Sequence, residues 1–127
     1  MNDKNSALAE VYAKAVTHHQ KGDLEVAKSL YEEILEKLPN HINTQSNLGG
    51  LYAQLGKPEK AKSLLKNVLK IEPNNINANS NLGVAFNKLT EYQEAINCHK
   101  KVLELEPNNA DAYNNLGTIF QNLKKYE

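Results

Sequence analysis

One interval governs this chain. Pro39, Pro73 and Pro107 stand 34 residues apart, and so do Ala27, Ala61 and Ala95. The triplets Asn47-Leu48-Gly49, Asn81-Leu82-Gly83 and Asn115-Leu116-Gly117 keep the same spacing, as do the aromatic residues Tyr52, Phe86 and Phe120. A period held in phase by such different residue types is structural, so the fold must repeat with it.

Within one period, Leu48, Leu51, Tyr52 and Leu55 fall at i, i+3, i+4 and i+7, the apolar stripe of an amphipathic helix. Leu82, Ala85, Phe86 and Leu89 repeat it, then Leu116, Ile119, Phe120 and Leu123. A second stripe follows at Ala61, Leu65, Val68 and Leu69, matched by Ala27, Tyr31, Ile34 and Leu35 and by Ala95, His99, Val102 and Leu103. Each period is therefore two helices. Turn signals separate the stripes: Gly22-Asp23, Gly56-Lys57-Pro58, Pro73-Asn74-Asn75 and Pro107-Asn108-Asn109. Pro58 suits the first helical position, and Asn75 or Asn109 can cap the following helix through its side-chain oxygen.

A glycine inside a helix costs about 1 kcal/mol relative to alanine, so Gly49, Gly83 and Gly117 need a shared reason. Close approach between paired helices supplies one, with only methyl groups at Ala27, Ala61 and Ala95. On that account Gly83→Leu lowers the melting temperature markedly and Gly83→Ala does not.

The segments SNLGGLYAQLG at 46–56, SNLGVAFNKLT at 80–90 and NNLGTIFQNLK at 114–124 resemble the tetratricopeptide repeat. The Leu-Gly pair, the aromatic three residues after it, the Ala opening the second stripe and the closing Pro all match that family's 34-residue unit. The usual aromatic early in the first helix occurs only as Tyr113, with Val11, Gln45 and Asn79 in the other copies. The resemblance implies an all-α, right-handed superhelical solenoid of seven helices in a single domain over 1–127. Its repeats fall at about 8–41, 42–75 and 76–109, with the first helix of a fourth at 110–127. The first helices would line a concave groove that holds protein or extended peptide.

On the family template, the groove carries Asn47, Asn81 and Asn115 once per repeat, flanked by Asn43, Asn77, Ser46, Ser80, Asn114 and Lys88. A carboxamide offers one acceptor and two donors, so a regular row can pair with the C=O and N–H groups of an extended peptide. The row is similar to the asparagine ladder of O-linked N-acetylglucosamine transferase repeats. A plainer reading stays open beside it: each Asn bonds a neighbouring helix or faces water. The carboxylate clamp that other members use on chaperone tails fails here. Where it needs two Lys and an Arg, this chain has neutral Tyr12, Asn77 and Asn81, and only Asn47 matches.

Composition narrows the partners. Fifteen Lys balance fifteen Asp plus Glu and there is no Arg, so net charge is zero. That removes the clustered positive charge on which nucleic-acid binding rests. No run of about 18 apolar residues could span a bilayer, and no apolar signal-like stretch opens the chain, which makes the cytoplasm the expected location. No phosphate loop, nucleophile elbow or zinc-binding motif is present, so neither enzyme chemistry nor a cofactor or metal is expected. Cys98 and His99 point about 100° apart on a helix and cannot act as a thiol and base pair. His99 reads as a packed, neutral core residue. His18 and His19 alone would make a poor metal site. The last helix lacks a mate, so the stripe through Tyr113, Leu116, Phe120 and Leu123 would favour self-association. Two other functions remain open in the sequence: a substrate-recruiting N-terminal segment of a larger, glycosyltransferase-like enzyme, and a self-assembly module.

Overall fold

The computed structural model describes residues 3–125. Among them are seven α-helices and no strand: α1 Asp3–Lys21, α2 Leu24–Lys37, α3 Ile42–Gln54, α4 Pro58–Ile71, α5 Ile76–Lys88, α6 Tyr92–Leu105 and α7 Ala110–Lys124. They form a solenoid of hairpins. Consecutive helices pack as α1 on α2, α3 on α4 and α5 on α6, with α4 also against α5 and α6 against α7.

The two kinds of connection use different chemistry. Inside a hairpin the chain turns through a left-handed residue at Gly22 (φ 86°), Gly56 (φ 77°) and Thr90 (φ 59°), one column of the repeat. Between hairpins the helix start is tied twice. His41, Asn75 and Asn109 each accept the backbone N–H three residues on, at Thr44, Ala78 and Ala112. Gln45, Asn79 and Tyr113 then reach back to the carbonyls of Pro39, Pro73 and Pro107, at 2.7, 3.1 and 3.1 Å. Three different side chains thus do one job. The column that carries the family's aromatic residue needs a donor of sufficient length here, and Gln and Asn meet that need.

The apolar interior divides in two. One cluster joins Ala15, Ala27, Tyr31, Leu48 and Leu51, and the other runs from Ala53, Ala61 and Leu65 to Ile96, Cys98 and Ile119. Tyr52 packs against both. Such division is expected where each unit touches only its neighbours.

The glycine column departs from the sequence expectation. Gly49 and Gly83 do not face the alanines; they receive whole side chains from the second helix. A methyl group on Gly49 would stand 2.6 Å from Leu65 Cγ, and one on Gly83 would stand 2.5 Å from His99 Nε2. The notch takes a knob, and even the smallest added group collides with it. Gly117 has nothing within 4 Å.

Candidate functional site

The first helices present the polar row, and the structure places its members unequally. Asn43, Asn77, Asn114 and Lys88 are exposed, whereas Asn47, Asn81, Asn115 and Ser80 are half-buried. Ser46 is buried, and its hydroxyl has no hydrogen-bond partner. Its side chain is therefore turned away from any groove, although its backbone takes part in the row.

Among the described residues, side-chain hydrogen bonds cross between consecutive first helices and join residue i to i+35. Asn47 Nδ2 donates to the Tyr12 hydroxyl at 2.9 Å, and Asn81 Nδ2 to the Ser46 carbonyl at 3.4 Å. Lys88 Nζ donates to the Ala53 carbonyl at 2.6 Å, and Asn122 Nδ2 to Asn87 Oδ1 at 3.1 Å. His19 and Gln54 complete the set. The offset of one beyond the repeat follows from helix geometry. Side chains lean toward the N-terminus, so the spot level with a residue's repeat mate is covered by the residue after that mate.

Helix spacing sets how far each rung closes. Gly50 is bare backbone, and Asn81 fills the space where its Cβ would be, 2.6 Å from Nδ2. The residues in the Gly50 column of α1 and α5 are Val16 and Val84. Accordingly α3 lies close against α5, while α1 stays farther from α3 and α5 from α7. Asn47 reaches a hydroxyl instead of a backbone carbonyl, and the Asn115 side chain makes no hydrogen bond among the described residues.

The row is electrically quiet. Lys88 spends its ammonium on the carbonyl end of α3, where the helix dipole favours a cation. Tyr12 lies edge-on to His41 and tilted on Tyr31. Burial, then Tyr12 beside it, pushes the Tyr31 hydroxyl up to about 12, so it is neutral and available to bond His19 Nδ1 at 3.1 Å. A cavity of about 350 Å³ opens beside Tyr12, lined by Leu8, Ala9, Ile34, Leu38, His41 and Asn43. It carries no charged residue.

Outside the row, Cys98 and His99 are both buried in α6. Burial pushes the thiol up to about 11, and burial holds the imidazole below its ordinary range. Neither ring nitrogen of His99 has a partner, so no proton passes between the two. Among the described residues no group of three or more His, Cys, Asp or Glu could hold a metal. No helix there is long and apolar enough to cross a membrane.

The helix pairs, their glycine notches and their 34-residue step can be set beside known proteins. A profile described as tetratricopeptide repeat matches residues 18–80, and a second, described as TPR repeat, matches 85–124. The chain belongs to the tetratricopeptide repeat family. This TPR chain is similar to the first TPR of Spaghetti (RPAP3), solved bound to the HSP90 peptide SRMEEVD. That match has 27% identity and a TM-score of 0.83, and covers 92% of this chain and 93% of that one. The first TPR domain of human RPAP3 matches at 27% identity and TM-score 0.83, with 93% of each chain covered. The TPR domain of P58(IPK) shares the fold at 22% identity and TM-score 0.87, with 96% of this chain and 35% of that one covered. No curated protein sequence matches the chain.

The sequence carried the signal for the row but not for its rungs. Tyr12 as an acceptor, Gly50 as a seat and the Gln45, Asn79 and Tyr113 donors all lie in columns that the repeat alignment brings together. What it lacked was the lean of the side chains, which pairs positions 35 apart.

Proposed function

We propose that this TPR chain is a non-catalytic scaffold that holds an extended, uncharged protein or peptide segment along its first helices. Asn47, Asn81 and Asn115 would read the peptide backbone, with Asn43, Asn77, Ser80 and Asn114 on the flanks. Ser46 and Lys88 would act through the framework, the one by its carbonyl and the other at the end of α3. The observation that carries this reading is the half-buried amide row. Asn47 and Asn81 each commit one N–H to the preceding repeat, which fixes the carboxamide plane and leaves an acceptor and a donor for a ligand. Pre-set side chains lower the ordering cost of capture.

The RPAP3 domain's acidic HSP90 peptide is a poor guide to this chain's ligand. Tyr12, Asn77 and Asn81 offer no charge to seize a carboxylate, and Lys88 is already engaged. Neutral hydrogen bonds have roughly half the strength of charge-assisted ones. The test is a peptide array probed with the parent and with Asn47→Ala, Asn81→Ala and Asn115→Ala combined. Loss of capture by a folded triple variant supports the reading; unchanged affinity overturns it. SRMEEVD itself should bind neither protein.

A further inference from the structure

The second helices form the outer side of the solenoid, and two of their exposed columns change sign from one repeat to the next. Glu32 and Glu36 stand on α2 where Lys66 and Lys70 stand on α4, and all four are exposed. Each pair is spaced i and i+4, so it forms one stripe along its helix. Among the described residues none of the four has an ion-pair partner. Lys66 lies over the Phe86 ring, 5.8 Å from its centre, and its ammonium keeps N–H donors to spare. The acids at the helix starts differ, since Glu25 and Glu59 are already held by Lys28 and Lys62 at 3.3 and 3.6 Å. The chain has no net charge, yet an acidic stripe and a basic one lie side by side.

Between the stripes runs a trough of about 530 Å³, floored by Leu35, Tyr52 and Leu64 and edged by Glu32 and Glu36 on α2 and Lys60 on α4. The repeat carries α2 onto α4, so the two helices run in the same direction. A two-fold axis laid over the trough, parallel to both helices, therefore sets α2 of one copy on α4 of the other with matching columns level. Glu32 meets Lys66, Glu36 meets Lys70, and the symmetry doubles the set. Ser29 and Ser63, one turn earlier in the same stripes, are small enough to let the helices approach. An axis across the helices would instead set α2 on α2, acid against acid. A pairing centred between α4 and α6 fails too, because α6 carries Lys100 in the column of Lys66.

We infer that this outer face is a homodimer interface, on which a second copy docks with α2 over α4 in both directions. The two troughs then close over one another and withdraw their leucines from water. Each copy contributes two helices of 14 residues, and at 1.5 Å per residue and about 10 Å of width they cover roughly 400 Å². That is the size of a reversible contact, steered by charge and sensitive to salt. Both amide rows stay open on opposite sides of the pair, and the inference does not depend on what they bind.

Sedimentation equilibrium of the full chain at low salt should show monomer and dimer, and the dimer should vanish at about 1 M salt, where screening acts beyond about 3 Å. Glu32→Lys with Glu36→Lys, and separately Lys66→Glu with Lys70→Glu, should each weaken self-association at least about tenfold. An equimolar mixture of the two should restore it, because the reversed α2 then faces the reversed α4 and the unaltered stripes face each other. If circular dichroism shows that a reversal disturbs the fold, Glu32→Gln with Glu36→Gln or Lys66→Gln with Lys70→Gln replaces it and should weaken the dimer and flatten its salt dependence. The inference is overturned if the parent stays monomeric at roughly millimolar concentration, or if the folded mixture fails to recover the dimer. It is also overturned if the charge changes leave a dimer intact, since the contact would then lie elsewhere, as on the exposed Tyr113 and Phe120 of α7.

Discussion

One substitution has opposite effects in two columns of the same repeat. Gly83→Ala gains about 1 kcal/mol in helix propensity, but its methyl would stand 2.5 Å from His99, and overpacking of that kind costs about 1–3 kcal/mol. Gly117→Ala keeps the gain and meets nothing. Urea denaturation should therefore show Gly83→Ala less stable than the parent and Gly117→Ala more stable by up to about 1 kcal/mol. Equal shifts would contradict the knob-and-notch packing. Thr90 presents a second residue-scale test. It is β-branched and sits at φ 59° where the other hairpins use glycine, a conformation costing about 1–3 kcal/mol outside glycine. Thr90→Gly should raise stability by roughly 1 kcal/mol in the same assay. The sequence disclosed which columns hold glycine but gave the wrong reason for one of them. Small residues at Ala61 and Ala95 suggested backbone meeting backbone, because periodicity reports which residues share a face and not which side chain crosses to fill it.

At the scale of the element, α6 buries an imidazole in the column where α4 buries a leucine. His99 is 1% exposed, with both ring nitrogens unpartnered, where α4 has Leu65. Burial lowers its pKa below the ordinary 6.5, so the unfolded chain takes up a proton more readily than the folded one. Its contribution is accordingly present above about pH 6.5 and is lost as pH falls toward the folded value. The difference in unfolding free energy between His99→Leu and the parent should widen from pH 8 to pH 5, and His99→Leu should be the more stable at both. A constant difference would show that the imidazole stays uncharged or finds a partner on acidification. Helix identity and the caps at Asn75 and Asn109 were legible beforehand. The cap at His41 was not, since only its column, shared with those two asparagines, betrays it. His41→Asn should preserve melting behaviour, while His41→Ala should cost about 1 kcal/mol.

Across the whole molecule the apolar interior falls into two core clusters that share the half-buried Tyr52. Units that touch only their neighbours unfold by local steps. Hydrogen exchange should find the amides of α1 and α2 less protected than those of α4 to α6, and uniform protection would mean a single cooperative core. The repeat count and hairpin order followed from the sequence because a 34-residue period leaves few alternatives. Unequal spacing between first helices did not follow, since it depends on single positions such as Gly50, which the shared motif passes over.

That inequality has a mechanical side. The α3–α5 seam is clamped by Asn81 seated on Gly50, and valines prop the seams on either side. Curvature should thus be easier to alter at the two outer joints than at the middle one, and a peptide held along the row as proposed would flex the scaffold about that central joint.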